Sequence, residues 1–227
     1  MVARHDPPPM SIDPAILVVR LSAIGDIVMA SPLIHALRQR YPRSHIAWLV
    51  QPESAALLYD HPELDEVIVW PRSQWRELWG QKRLLSLLRE IRMFRAVLRR
   101  RGFVLAIDLQ GLMKSGILAW LSGAERRIGL GSREGSQGLM TEVLPRAGEA
   151  ELIGSEYRFL AERLQLPVEP FQMQVGIGAP AEAQAGQLRR SLPTGSSYAV
   201  ICPFTTRPQK HWFVEYWREL IPRLRSD

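Results

Sequence analysis

An aspartate directly after a glycine, where an apolar strand gives way to a helix, is placed to take a proton from a bound ligand. The stretch RLSAIGDIVMASPLIHALR (20–38) has this form: it follows the branched apolar run AILVV and sets Gly25 and Asp26 at the turn. Open α/β sheets bind their ligands at the carboxyl ends of strands. Glycine lets backbone approach a ligand closely, and Asp26 is either a cap of the helix it starts or a base. A carboxylate here repels a pyrophosphate, so a sugar hydroxyl suits the turn better than a dinucleotide phosphate does.

Two more stretches combine residue types that handle anions. In IDLQGLMKSG, Asp108 ends a strand, Gly111 gives a sharp turn, and Lys114 and Ser115 open the next helix. A lysine at a helix start is a natural anion site. In CPFTTRPQKHW, Thr205 and Thr206 follow an apolar run and Lys210 comes shortly after, near a helix start. Hydroxyls, backbone amides and a lysine make a phosphate cradle, although the glycine-rich P-loop pattern is absent. His35 and His211 lack metal-ligand spacing and read as structural, and no metal cluster is visible.

The elements that must position these residues alternate between strand and helix. Strand-like runs occur at 15–20, 45–51, 66–70, 103–111 and 126–130, with another near MQVGIG (173–178). Helical patterns fill 26–40, about 53–59, 74–100, 113–122 and about 151–165. Pro32 argues against a straight first helix. In the long segment 74–100, Leu84, Leu87, Leu88, Ile91, Phe94 and Leu98 recur at i, i+3, i+4, i+7 spacing, with arginines opposite. GSREGSQG reads as a flexible loop. This alternation predicts an α/β fold with a doubly wound, mostly parallel sheet.

The expected organisation is a disordered lead (1–14), a Rossmann-like domain (15–178), a partly helical linker (179–197), and one strand–helix unit (198–227), with a strand at 198–204 and a helix at 212–225. One such unit builds no core of its own, so the second domain is expected to be truncated or to dock on the first.

The 227 residues are 46% hydrophobic and 23% charged, the balance of a globular chain. The lone Cys202 excludes an intrachain disulfide framework, and no apolar run reaches the length of a membrane span. With no signal-peptide pattern either, a cytoplasmic protein is expected. The net charge of +6 is uneven: ten Arg or Lys against two Glu between Arg72 and Arg101 leave the rest of the chain slightly acidic. Such a patch suggests nucleic acid, a membrane surface or a phosphorylated substrate as partner. No RNA-binding motif or helix-turn-helix accompanies it, so nucleic acid is not expected. A dinucleotide oxidoreductase is disfavoured too, since G-x-G-x-x-G is missing and Gln51 stands where an acid would bind ribose. Most of the seven Trp residues read as packing, with Trp75 and Trp79 placed to touch a ligand of the basic stretch.

Taken together, RLSAIGDIVMASPLIHALR, IDLQGLMKSGILAWLSGAERRIGL and TTRPQKHWFVEYWREL resemble the lipopolysaccharide heptosyltransferases, inverting glycosyltransferases of family 9 with the GT-B fold. The DLQGLMKS version is most similar to the heptosyltransferase I branch. The resemblance implies that Asp26 is the general base, removing a proton from the Kdo hydroxyl that attacks ADP-heptose. It implies that Lys210, with Thr205 and Thr206 beside it, stabilises the donor phosphates, and that Lys114 and Arg133 hold the acidic acceptor, Kdo-lipid A. Arg72 and Arg76 take the same acceptor role by a looser alignment. No cofactor is implied, because ADP-heptose is a substrate. The partner surface implied is the inner leaflet of the inner membrane, with peripheral attachment through the basic stretch. The family's D-T/S-G…H nucleotide motif has no counterpart before Asp227, so most of the donor site is expected to be missing.

Overall fold

The computed structural model describes residues 14–149, 151–192, 198–203, 205 and 208–224. The chain divides into two compact units, Met1–Ala181 and Glu182–Asp227. Residues 1–13 of the lead expected at 1–14, and residues 193–197 of the expected linker, lie outside the described residues.

The first unit is built on six parallel strands: β1 (Ala15–Val19), β2 (Ile46–Val50), β3 (Glu66–Val69), β4 (Phe103–Asp108), β5 (Arg126–Leu130) and β6 (Glu142–Leu144). Their spatial order is β3-β2-β1-β4-β5-β6, each pair parallel. That is the doubly wound order, in which the chain direction across the sheet reverses between β1 and β4. β1 and β2 are continuous branched or apolar runs because helices cover both faces of a parallel sheet.

Alternate residues of β1 serve opposite cores. Ile16 and Val18 pack with Ile27, Leu33, Ile34 and Leu37 of helices α1 (Ile24–Ala30) and α2 (Pro32–Arg40), and with Tyr157 and Leu160 of α7 (Ser155–Arg163). Leu17 and Val19 pack on the other face with Leu98 of α5 (Leu84–Arg99) and with Leu118 and Leu121 of α6 (Met113–Leu121). A short α3 (Pro52–Ala55) follows β2, and α4 (Arg72–Gly80) follows β3.

Several expected boundaries shift for identifiable reasons. The helix expected over 26–40 is two helices broken at Ser31, whose Oγ donates to Val28 O at 2.7 Å, and Pro32 sits where its missing N–H costs nothing. The single helix expected over 74–100 is the hairpin α4–α5. Lys82 has φ +56°, its N–H bonds Trp79 O at 3.0 Å, and that of Arg83 bonds Leu78 O at 2.9 Å. Those paired bonds are a Schellman closure, with lysine in the left-handed position that glycine usually fills. As a result Leu84 and Leu88, expected in the apolar stripe, are half exposed, while Leu87, Ile91, Phe94 and Leu98 turn inward.

The segment GSREGSQG, expected as a flexible loop, is anchored at Ser136, which is buried in a 3₁₀ turn (Ser136–Leu139) while Arg133–Gly135, Gln137 and Gly138 are exposed; Gly116 of α6 lies so close that a Cβ would come within 2.9 Å of the Ser136 Cβ. The strand expected near 173–178 is irregular backbone tied to the unit by Gly176 N–H to Leu57 O at 2.7 Å, and β6 holds the opposite sheet edge instead.

Helix α8 (Ala179–Arg190) contains the division between the units. The second unit further holds a 3₁₀ turn (Pro208–Lys210) and α9 (Val214–Arg223), on which Trp212 meets Tyr216 and Trp217 in ring contacts. The strand expected at 198–204 does not form over residues 198–203, which have no strand beside them to bond among the described residues.

Candidate active site

The crevice at the β1/β4 reversal is organised by a residue that ends β1. Arg20 is buried, and its Nη1 donates to Leu109 O just beyond β4 at 2.9 Å. Its Nη2 forms an ion pair with Asp26 Oδ2, and the same oxygen accepts the Ala23 N–H at 3.1 Å. Asp26 thus closes the reciprocal half of a capping box over the first turn of α1. Asp26 Oδ1 has no protein partner among the described residues, and the side chain is 38% exposed. One oxygen is therefore anchored and the other faces outward. That arrangement suits a base that must meet a hydroxyl from solution.

Neighbouring groups brace Arg20. Trp48 Nε1 donates to its carbonyl at 3.1 Å, and the Leu21 N–H donates to Gln110 Oε1 at 3.0 Å, a second tie across the reversal. Tyr157 is fully buried, and burial pushes its phenol up, with the Arg20 charge opposing. Arg146 reaches in from beyond β6, donating to Leu109 O at 3.0 Å and pairing with Glu156 at 2.5 Å.

Asp108, at the end of β4, is wholly buried and works as a loop organiser. Its Oδ1 accepts the N–H groups of Gln110 and Gly111 at 3.0 and 3.2 Å, and its Oδ2 accepts Ser115 Oγ at 2.9 Å. Burial raises its pKa, while these bonds and the Arg20 charge pull the other way. Gly111 has φ +68°, and a Cβ on it would lie 2.6 Å from Leu130 O, so only glycine fits the turn. Its carbonyl accepts the Arg133 N–H at 2.9 Å, which ties the loop after β5 to the start of α6.

The sequence-derived basic residues of the first unit converge only in part. Lys114 is half-buried at the start of α6, and burial, then the charges of Arg72 and Arg20, lower its pKa while Glu134 opposes them. Lys114, Arg72 and Arg20 therefore share one electrostatic neighbourhood around the strand ends. Arg133 and Arg76 are exposed, Arg76 one turn along α4 from Arg72. Trp75 is packed edge-on against Trp70 and Phe94, whereas Trp79 is exposed. Of the donor-side residues, Lys210 and Thr205 are exposed in the second unit, Thr205 O bonding His211 Nε2 at 2.8 Å. Thr206 lies outside the described residues. Sequence reasoning missed Arg20, Gln110, Tyr157 and Arg146; an arginine ending an otherwise apolar buried strand was the visible signal for the first.

Against known proteins, the family model for glycosyltransferase family 9 (heptosyltransferase) matches residues 91–227. The chain belongs to this family. Curated relatives include lipopolysaccharide heptosyltransferase 1 of Escherichia coli K12, 28% identical over 91% of this chain and 63% of the relative. The enzyme of the same name from Pseudomonas aeruginosa is 27% identical over 92% of this chain and 57% of its own length. The structure of E. coli heptosyltransferase WaaC with ADP superposes with a TM-score of 0.66 at 28% identity, covering 92% of this chain and 64% of that one. A Veillonella parvula glycosyl transferase of the family shares the fold at 20% identity, with a TM-score of 0.73 over 95% of this chain and 61% of that one. The chain thus spans about three-fifths of the length of these relatives. The parallel six-stranded unit is the α/β architecture of the GT-B heptosyltransferase structures.

Proposed function

We propose that this chain takes part in inverting transfer of a heptose from ADP-heptose to a Kdo hydroxyl of Kdo-lipid A, with Asp26 as general base. The observation that carries the reading is the two-sided anchoring of Asp26 Oδ2 by Arg20 and the Ala23 N–H, which leaves Oδ1 outward at the strand ends. Family membership and the names of the relatives support the reaction class.

In the step proposed, the acceptor oxygen forms a bond to the anomeric carbon as the bond from that carbon to the ADP oxygen breaks. The acceptor proton passes to Asp26, and the electron pair leaves with ADP. A nucleoside diphosphate is a good leaving group that needs charge neutralisation more than a proton, so one carboxylate suffices. Lys210, with Thr205 and Thr206, is assigned that neutralising role toward the donor phosphates. Lys114 and Arg72, with Arg133 and Arg76 further out, are assigned to the carboxylates and phosphates of the acceptor. An acceptor anchored by acyl chains places the enzyme at the cytoplasmic face of the inner membrane, as a peripheral protein.

The test is acceptor-dependent release of ADP from ADP-heptose. Asp26→Asn keeps the side-chain shape and is expected to slow release about 100- to 10,000-fold with acceptor affinity little changed. Release by Asp26→Asn at the wild-type rate would remove Asp26 from the role of base.

A further inference from the structure

The α4–α5 hairpin ends in a cluster that the fold does not cover. Trp79, Leu84, Leu85 and Leu88 are 67%, 50%, 84% and 47% exposed. Lys82, Arg83, Arg89 and Arg92 are exposed around them. The two acids of the hairpin, Glu77 and Glu90, do not offset this ring, because ten Arg or Lys stand against them between Arg72 and Arg101. The Schellman closure at Lys82 projects these side chains: it separates the inward stripe of α5 from the two leucines that open the helix.

Resting on the acceptor reading above, we propose that this hairpin tip inserts into an anionic phospholipid surface. Apolar side chains ringed by cations are the composition of an interfacial anchor, in which the bulky residues enter the headgroup boundary and the cations meet lipid phosphates. The apolar cluster at the tip is four side chains, with Met93 and Val97 exposed further along α5, and its ring of cations would repel the same ring on a second copy, which favours an anionic occupant. The tip is also linked to the site. Arg72, which shares the field of Lys114, opens α4, and the tip closes the same helix about 13 Å away. Insertion would therefore hold the crevice within reach of the headgroup of a lipid-anchored acceptor.

The test is co-sedimentation of the full 227-residue chain with vesicles of phosphatidylethanolamine and phosphatidylglycerol, compared with phosphatidylcholine alone, in the absence of acceptor. Salt-sensitive binding to the anionic vesicles is expected, reduced about tenfold or more by Leu85→Glu. Tyr59→Glu, at an exposed aromatic elsewhere, should leave binding unchanged, with circular dichroism confirming that both variants fold. Quenching by brominated lipid should be present in the wild type and reduced in Trp79→Phe. Undiminished vesicle binding by Leu85→Glu overturns the proposal, as does no binding by the wild type, or a wild-type dimer that Leu85→Glu converts to monomer. Lys114→Ala separates the two readings: it should bind vesicles as the wild type does while its binding of the deacylated, water-soluble Kdo-lipid A headgroup falls about tenfold. Loss of vesicle binding alone would defeat insertion and leave the acceptor site standing.

Discussion

Arg20 and Asp26 lie six residues apart, yet their ion pair is fixed by a third point far away in sequence, the carbonyl of Leu109, which Arg20 Nη1 reaches at 2.9 Å. The guanidinium therefore sets the position of the Asp26 carboxylate relative to β4. Arg20→Gln should cost about 1–3 kcal/mol in denaturant unfolding, the usual penalty for leaving buried partners unmade. Arg20→Lys should recover only part of it, because one ammonium cannot span both partners as the planar fork does. Wild-type stability in Arg20→Gln would show that the pair does not hold this crevice.

Two glycines near the crevice should respond oppositely to alanine. At Gly111 the backbone has φ +68° and a Cβ would lie 2.6 Å from Leu130 O, so Gly111→Ala should lose at least about 1–2 kcal/mol from the backbone conformation alone. At Gly25, in the first turn of α1, a Cβ would meet nothing within 4 Å, so Gly25→Ala should raise the denaturant midpoint, by the equivalent of about 0.5–1 kcal/mol. Any loss of acceptor binding in Gly25→Ala would then report close approach of a ligand to this turn.

The Glu66–Arg101 pair ties the start of β3 to the residue just beyond α5, and the Arg101 hydrogen bond lowers the Glu66 pKa below its ordinary 4.5. For a carboxylate depressed in the folded state, the stabilisation is present above the unfolded value and lost as pH falls through the folded one. Arg101→Gln should therefore be less stable than the wild type above about pH 4.5 and begin acid unfolding at higher pH, with the stability difference closing as pH falls below 4.5. Superimposable acid-unfolding curves would remove the pair from the stability of the hairpin base.

Much of the sheet was legible because strands buried on both faces must be continuous apolar runs, as AILVV and IAWLV are. The turn carrying Asp26 could be placed by the same logic, since it directly follows β1. What sequence could not reveal depended on contacts distant in the chain. The Arg20–Leu109 bond joins residues 89 apart, and nothing local marks it. The α4–α5 break escaped because a lysine, not a glycine, takes the left-handed position. MQVGIG looked like a strand, but Gly176 is there for contact: a Cβ would come within 2.6 Å of the Asp60 backbone. β6 is three residues long, too short for any periodicity to announce it.

The most direct measurement is calorimetric binding of the deacylated, water-soluble headgroup of Kdo-lipid A to the 227-residue chain, wild type against Lys114→Ala, at low and moderate salt. If the crevice at the β1/β4 reversal receives an anionic sugar acceptor, binding should be saturable, weaken with salt, and fall about tenfold on losing one partly buried cation. Absence of binding, or binding indifferent to Lys114, would contradict the placement of the acceptor in this crevice.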